Sequence, residues 1–515
     1  MKRCSGFLIA LIGFALLALG PGQGVNTFAA ETVSQESTQS ARRLDLSECI
    51  ELALENNNRS KISRADVDVA LARHKQALSS WWPELSAKLS GSRIDQDPNF
   101  IFPASMVHLP ASQIGLPPIT INLPANALGP GLPPVNVPLS TPPLSLPIPE
   151  QNIPIPEQDI KLMDKYTATG SLNLSFPIYT GGLRTSMIEM AKQGMEVARQ
   201  DDRRTSQEVV YDVRRVYYSG VLTRRLVQIA KDTLARMEAT LDLTERLYQT
   251  GSGTVKKTDY LRNKSMVETI RTLLAELEST QMTAIATLVT VIGLDWNENI
   301  ELVDEEIPFH PIDHNPRMLV DRAIRQNPQI SKVEAAVKAA EAAVTKARSG
   351  HIPKIGFFGS ANKIWNSLDT GMMTPDNKFT WAFGLGVDIP IFQGFRVTAE
   401  QREARAELNK RQRQLALLRD GLALEVKRTC YALTSAVAQK SSTQDAVQSA
   451  TENRELNVRA YQEELVETKD VIEAQITEAL LSGQHQKVLY DHIATQAKLD
   501  FVLGTEVPQI MGAIK

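Results

Sequence analysis

One order of landmarks occurs twice along this chain, and that internal duplication limits its fold more than any other feature. Ala53-Leu54-Glu55-Asn56-Asn57 aligns with Ala323-Ile324-Arg325-Gln326-Asn327 at an offset of 270, and Trp82-Pro83 falls on Ile352-Pro353 without a gap. Further along, the offset becomes 213. Phe176-Pro177-Ile178-Tyr179-Thr180-Gly181 then matches Ile389-Pro390-Ile391-Phe392-Gln393-Gly394, and Tyr248 matches Tyr461. It settles at 211, pairing Asp259 with Asp470 and Leu294 with Thr505. The expected organisation is a first structural repeat over 30–317 and a second over 318–515, the first being longer by 57 residues between its proline landmarks.

Each repeat contains a long stretch without proline, from Ile178 to Ile307 and from Ile391 to Val507. Both are rich in Ala, Leu, Glu, Arg, Lys and Gln, which lose little side-chain freedom in a helix. Val227, Ala230, Leu234, Met237, Leu241, Thr244 and Tyr248 alternate spacings of 3 and 4, a heptad seam that requires a partner helix. A helix from Leu183 to Leu247 would be roughly 98 Å long at 1.5 Å per residue. A turn at Gly251-Ser252-Gly253 would return it as a second helix ending near Ile292. The tips of the two hairpins are expected near 249–258 and 462–469.

Shorter segments show the period of two. Tyr166, Ala168, Gly170, Leu172, Leu174 and Phe176 alternate with Thr167, Thr169, Ser171, Asn173 and Ser175. Phe379, Trp381, Phe383, Leu385, Val387 and Ile389 alternate with small or polar residues, and weaker runs lie at 85–94 and 355–364. About ten residues suits a strand tilted across a bilayer, with Tyr166, Leu172, Leu174, Phe176, Phe379, Trp381, Phe383 and Leu385 toward lipid. Four strands cannot close a barrel, because membrane barrels begin at about eight. An open edge in lipid leaves backbone groups unpaired at several kcal/mol each. Spanning strands therefore demand at least two copies of the chain.

The extra residues of the first repeat form a segment, 98–157, of unusual composition. Fifteen prolines lie between Pro103 and Pro156, and no Asp, Glu, Lys or Arg occurs from Pro98 to Pro149. Proline removes a backbone donor and fixes φ, which rules out a central strand or a helix and predicts an extended, polyproline-like excursion.

At the other end, Lys2 and Arg3 precede an apolar run of 13 residues, Phe7 to Leu19, with small residues at Ala29 and Ala30. This reads as a signal peptide over 1–29. Without Lys2 and Arg3 the net charge falls from −3 to −5, which offers no basic patch for nucleic acid. Cys49 and Cys430 read as small buried apolar residues, though one disulfide is open to them in an oxidising compartment. Chemistry is sparse. No His-Glu-x-x-His, Gly-x-Ser-x-Gly or phosphate-cradling loop is present, and Pro311 breaks the spacing between His310 and His314. Gly181-Gly182 opens a helix where an anion would fit, but its counterpart Gly394-Phe395 argues for a strand-to-helix turn. No enzyme, cofactor or metal site is expected. The competing account is a periplasmic coiled-coil tether or adhesin stalk without a channel; it explains the heptads but neither the paired strands nor the duplication.

In the order of these pieces the chain resembles the TolC-like outer-membrane efflux proteins from about Leu46 to Thr505. Ala-Leu-x-Asn-Asn at 53–57, Pro83, Pro353, Phe-Pro-Ile-Tyr-Thr-Gly-Gly at 176–182, and a Tyr, a turn and an Asp at each hairpin tip carry the resemblance. It implies an α+β membrane protein: a homotrimer whose 12-stranded β-barrel, in outer-membrane lipid, continues as an α-helical periplasmic tunnel. It also implies a passive export duct for small molecules or polypeptides, joined to a periplasmic membrane-fusion adaptor and an inner-membrane transporter. Tyr461, Asp470 and Glu473 fall where the family's gate tyrosine and gate acids fall, with Asp259 their counterpart in the first repeat. The gate arginine does not carry over, since Val466 holds its place, and Glu463-Glu464 replaces the usual glycine. Gly251, Gly253, Thr254, Val255, Glu464, Leu465 and Val466 are the implied adaptor-contact tips. Capping or solvating the returning helix is the plainer role for Asp470 and Glu473.

Overall fold

The computed structural model describes residues 42–109, 119–122, 136–139, 151–251, 255–311, 315–368 and 375–514. The leader expected at 1–29, Gly253 and Thr254 of the first tip, and His314 lie outside the described residues.

The chain runs β1 (Arg42–Leu44), α1 (Leu46–Asn56), α2 (Asn58–Ser79) and β2 (Glu84–Arg93), then six short strands described below, to β9 (Tyr166–Tyr179). The long helices α3 (Leu183–Thr250) and α4 (Lys257–Ile292) follow, then β10 (Ile300–Leu302), α5 (Pro316–Gln326), α6 (Pro328–Arg348), β11 (Lys354–Trp365) and β12 (Phe379–Asp388). A second long hairpin, α7 (Arg396–Gln462) with α8 (Thr468–Leu503), and a short helix α9 (Val507–Ile514) complete it. At 1.5 Å per residue, the 68 residues of α3 extend for about 102 Å.

The asparagine motif has a local cause. The Asn57 side chain accepts from Arg59 N at 2.8 Å, capping α2, and donates Nδ2 to Val291 O at 2.7 Å. Asn327 accepts from Gln329 N at 2.8 Å, capping α6, and donates Nδ2 to Val502 O at 2.8 Å. Each asparagine thereby binds the end of a returning long helix to the start of a short one. Gly293 and Gly504 end those helices at φ +76° and +72°. A Cβ at either would stand 2.7 Å from the backbone of Asn56 or of Gln326 and Asn327. Glycine is the only residue that fits both demands.

Adjacency orders the helices. Where the short helices lie, α2 packs on α3, α3 on α6 and α6 on α7; toward the tips the row is α4, α3, α8, α7. Around the parallel pair β1–β10 lies the main apolar core, including Leu44, Ile50, Val213, Tyr217, Leu288, Ile292 and Leu302. Fully burying each such side chain contributes about 1.5–3 kcal/mol, so α3 and α4 are held firmly to α1, β1 and β10 here, and Ile493 of α8 joins the same cluster. The heptad seam is buried at Val227, Ala230, Met237 and Thr244. Leu234 and Leu241 pack against Met237, Val267, Ile270 and Ile472.

The four long strands form one antiparallel sheet in the order β12-β11-β9-β2. Register gathers mostly apolar side chains on one face and mostly small or polar ones on the other, with Lys363 and Phe358 placed against that trend, because directly opposed residues share a face. Leu385↔Phe357↔Phe176, Phe383↔Gly359↔Leu174↔Leu85 and Trp381↔Ala361↔Leu172↔Ala87 stack across one side. Thr380↔Asn362↔Ser171↔Lys88 and Ala382↔Ser360↔Asn173↔Ser86 form the other. The edge strands, β2 and β12, pair only inward, with β9 and β11, and their outer sides have no strand partner among the described residues. No described helix is long and apolar enough to cross a membrane.

At its foot the sheet meets α3 through Gly181 and Gly182, at φ +62° and +89°. A Cβ on Gly181 would approach Ile352 Cβ to 2.6 Å, so the pair makes a strand-to-helix turn and not an anion cradle.

Where it is described, the proline-rich segment is extended as expected, but it forms paired strands and not a polyproline-like excursion. Strands β3 (Asn99–Phe102), β4 (Ser105–Leu109), β5 (Ile119–Asn122), β6 (Asn136–Leu139), β7 (Gln151–Ile155) and β8 (Gln158–Lys161) pair as nested antiparallel ladders. These are β3 with β8, β4 with β7 and β5 with β6. In a two-stranded ribbon both strands are edges, so alternate N–H groups face outward and proline at those positions sacrifices no ladder bond.

Candidate functional site: the hairpin tips and the wall between them

Near their tips the two hairpins meet through hydroxyls and amides. Tyr461, at the end of α7, is 3% exposed, and its Oη lies 2.8 Å from Thr244 Oγ1 on α3 and 2.9 Å from Thr468 Oγ1 on α8. Asn263 of α4 donates Nδ2 to the same Thr244 oxygen at 3.2 Å. A turn higher, Gln475 of α8 donates Nε2 to Thr240 Oγ1 at 2.9 Å. Next comes an ion cluster: Arg454 of α7 donates Nε and Nη2 to Glu478 at 3.0 and 3.2 Å, while Arg236 of α3 reaches it at 3.4 Å. Glu478 is nearly buried. Polar groups thus run beside the apolar contacts of Ile472 with Met237, Val267 and Ile270 in linking hairpin α3–α4 to hairpin α7–α8 here. The polar contacts of this seam separate at low cost, because water replaces each bond as it breaks.

Of the sequence-predicted gate residues, Tyr461 lies inside this seam. Asp470 and Asp259 do not; both are exposed or half-buried third residues of their helices and accept from the backbone N–H of Glu467 at 3.3 Å and Lys256 at 3.1 Å. The acids therefore cap α8 and α4, where the helix dipole favours a carboxylate. Glu473 is exposed one turn on from Asp470. Thr240, Thr244, Asn263, Gln475, Glu478, Arg236 and Arg454 escaped the sequence reading as site residues. One signal was available, a threonine at seam position 244.

At the first tip, Gly251 ends α3 at φ +70° and Val255 is half-buried. At the second, Glu464 takes φ +57°, Leu465 is 71% exposed and Val466 is half-buried. A non-glycine residue in the left-handed region costs about 1–2 kcal/mol.

On the sheet, Tyr166, Leu172, Leu174, Phe176, Phe379, Trp381, Phe383 and Leu385 all fall on the apolar face. Trp381 and Phe383 stack with centroids 5.4 Å apart, and Arg93 lies over the Tyr166 ring. Cys49 and Cys430 are buried free thiols. Burial, with Asp45 and Glu48 close by, pushes the Cys49 thiol up to about 12, so it is inert packing. Among the described residues no group of three or more His, Cys, Asp or Glu is placed to hold a metal.

The sequence matches the outer membrane efflux protein family over residues 161–294 and 319–505, well over half of the chain. The chain belongs to that family. Among its relatives, the outer membrane efflux protein BepC of Brucella suis is 23% identical over 356 residues, 67% of this chain and 75% of BepC. The alkaline protease secretion protein AprF of Pseudomonas aeruginosa is 22% identical over 352 residues, 66% of this chain and 70% of AprF. The fold matches the Campylobacter jejuni CmeC outer membrane channel with TM-score 0.69 at 16% identity, over 89% of this chain and 85% of that one. CusC matches with TM-score 0.66 at 18% identity, over 92% and 95%. As a member of the outer membrane efflux family, the chain is an outer-membrane protein with an efflux role. The tether reading is set aside.

Proposed function

We propose that three copies of this chain, each a pair of structural repeats, close into a 12-stranded barrel and a continuous helical tunnel, a passive export duct. One observation carries this reading. The sheet ends at β2 on one side and β12 on the other, and the helix row ends at α2 and α4 on the first side and α7 on the second. Unlike edges invite a head-to-tail interface that closes by rotation. The edge helices bear unpartnered apolar side chains, Ile62 and Val69 on α2 and Leu417, Leu424 and Tyr431, spaced by seven, on α7. Four strands per copy reach the barrel minimum of about eight with two copies and make a comfortable twelve with three. The apolar sheet face then meets lipid and the polar face lines the duct. A periplasmic adaptor docks on the tips at Gly251, Gly253, Thr254, Val255, Glu464, Leu465 and Val466, bringing an inner-membrane transporter into line. The relatives' printed roles in efflux and in protease secretion support that partnership.

The polar seam is the latch of this duct. With Tyr461 bound to Thr244 the hairpins stay together at the tip, and three-fold symmetry brings Asp470 and Glu473 of each copy toward one axis, with Asp259 nearby. Six acids there favour cations and repel anions. Single-channel recording on the purified protein tests this. Asp470→Asn with Glu473→Gln should change conductance and weaken block by multivalent cations without dissociating the trimer. A small loss of stability with unchanged conductance and block would leave these acids as helix caps alone.

A further inference from the structure

Among the described residues, the proline-rich ribbon has one apolar face that no helix or other sheet covers. Phe102↔Gln158 and Ser105↔Ile155 keep one register, so β3–β8 and β4–β7 are a single ladder from Asn99/Lys161 to Leu109/Gln151. At about 3.4 Å per residue this ladder rises roughly 34 Å. Its two faces differ. Phe100, Phe102 and Met106 share one side with Ile160, Gln158 and Pro154; Asn99, Ile101 and Ser105 share the other with Lys161, Asp159 and Ile155. On the polar side Asn99 donates to Asp159 at 2.9 Å, and Lys161 reaches Asp97 at 3.3 Å. On the apolar side Phe100 and Phe102 meet edge to face at 4.6 Å, yet Phe100 is 42% and Met106 73% exposed. Among the described residues, no helix or other sheet makes an extensive contact with the ribbon.

A lone two-stranded ribbon is marginally stable in water, so this one needs a cover. Two observations say what supplies it. The ribbon continues strand β2 through Ile94 N to Lys165 O at 2.9 Å and Leu162 N to Pro98 O at 2.8 Å. Since β2 is the sheet edge that must pair with a neighbouring copy, the ribbon rises from that intermolecular seam. In addition, β3 and β4 carry no Asp, Glu, Lys or Arg, and the paired charges of β8, Asp159 and Lys161, lie on the other face, so the apolar faces of equivalent ribbons approach without charge repulsion. Prolines at 103, 154 and 156 hinder hydrogen-bonded strand addition, leaving face-to-face packing as the available mode.

We infer that second copies of this chain cover the face: the ribbons of one trimer pack through Phe100, Phe102 and Met106 into a crown at the barrel end away from the helices. The inference rests on the trimeric reading above. It is tested with full-length protein in outer membranes carrying Met106→Cys, the native thiols being buried, under mild oxidation. Three thiols near one axis form one disulfide, so up to two thirds of the chains should run as covalent dimers. Ser105→Cys, on the opposite face, should give few. An intact trimer in which neither Met106→Cys nor Phe100→Cys cross-links overturns the crown alone. The same holds if quencher-bearing lipids quench a fluorophore at position 106, which would place a lipid surface on this face. A chain that is monomeric before oxidation overturns the trimer as well.

Discussion

Asn57 and Asn327, 270 positions apart, make the same pair of hydrogen bonds: each caps the helix that follows it and donates Nδ2 to the carbonyl of a long helix about to end, Val291 in one case and Val502 in the other. Replacing either by alanine removes a cap and strands a buried carbonyl. Each change should cost about 1–3 kcal/mol. The sites are separate, so the double variant should be additive to within about 0.5 kcal/mol. Denaturation followed by circular dichroism in detergent measures all three.

Tyr461 ties α7 to α3 and α8 through one phenol oxygen. Tyr461→Phe keeps the ring and leaves two threonine hydroxyls without that partner, a loss of about 1–3 kcal/mol. If this seam is the latch, the variant should conduct more than the parent in single-channel recordings, and Thr244→Val should do likewise. The double variant should show less than the sum of the two effects, because both break one bond.

Glu464 sits at φ +57°, a conformation that glycine adopts without strain. Glu464→Gly should therefore stabilise the second tip by up to about 1 kcal/mol. Slower amide exchange at 462–467 would report it.

His485 on α8 lies 3.0 Å from Thr443 Oγ1 on α7, and burial, helped by Lys440, holds its pKa below the ordinary 6.5. A depressed histidine pKa means that the unfolded chain binds the proton first. Its contribution is fully present above about pH 6.5 and is lost as pH falls below that value toward the folded pKa. The thermal midpoint should drop between pH 7.5 and 5.5, and His485→Gln should flatten that drop.

Much of this architecture was legible in the chain. The strand runs, the extents of α3 and α4 and the turn glycines follow from local rules of period, proline and φ, and each was read within a few residues. Face chemistry was equally local, since Leu172 and Trp381 declare their side by alternation. Pairing was not. Pro154 looks hostile to any ladder until Met106 is found opposite it in a ribbon with two edges. The tip seam was hidden for the same reason: Thr244, Gln475 and Glu478 are ordinary helix-surface residues until α3 and α8 are laid side by side. Asp470 was picked out as a gate acid by position alone; its capping bond from Glu467 N depends on where α8 begins, which a sequence locates poorly.

Closure by three copies is the central claim, and native mass measurement of the detergent-purified protein tests it most directly. One dominant species of three chains is expected, persisting on dilution because each copy's β2 and β12 edges are paired by its neighbours. A stable monomer, or a mixture that drifts to monomer on dilution, would contradict it.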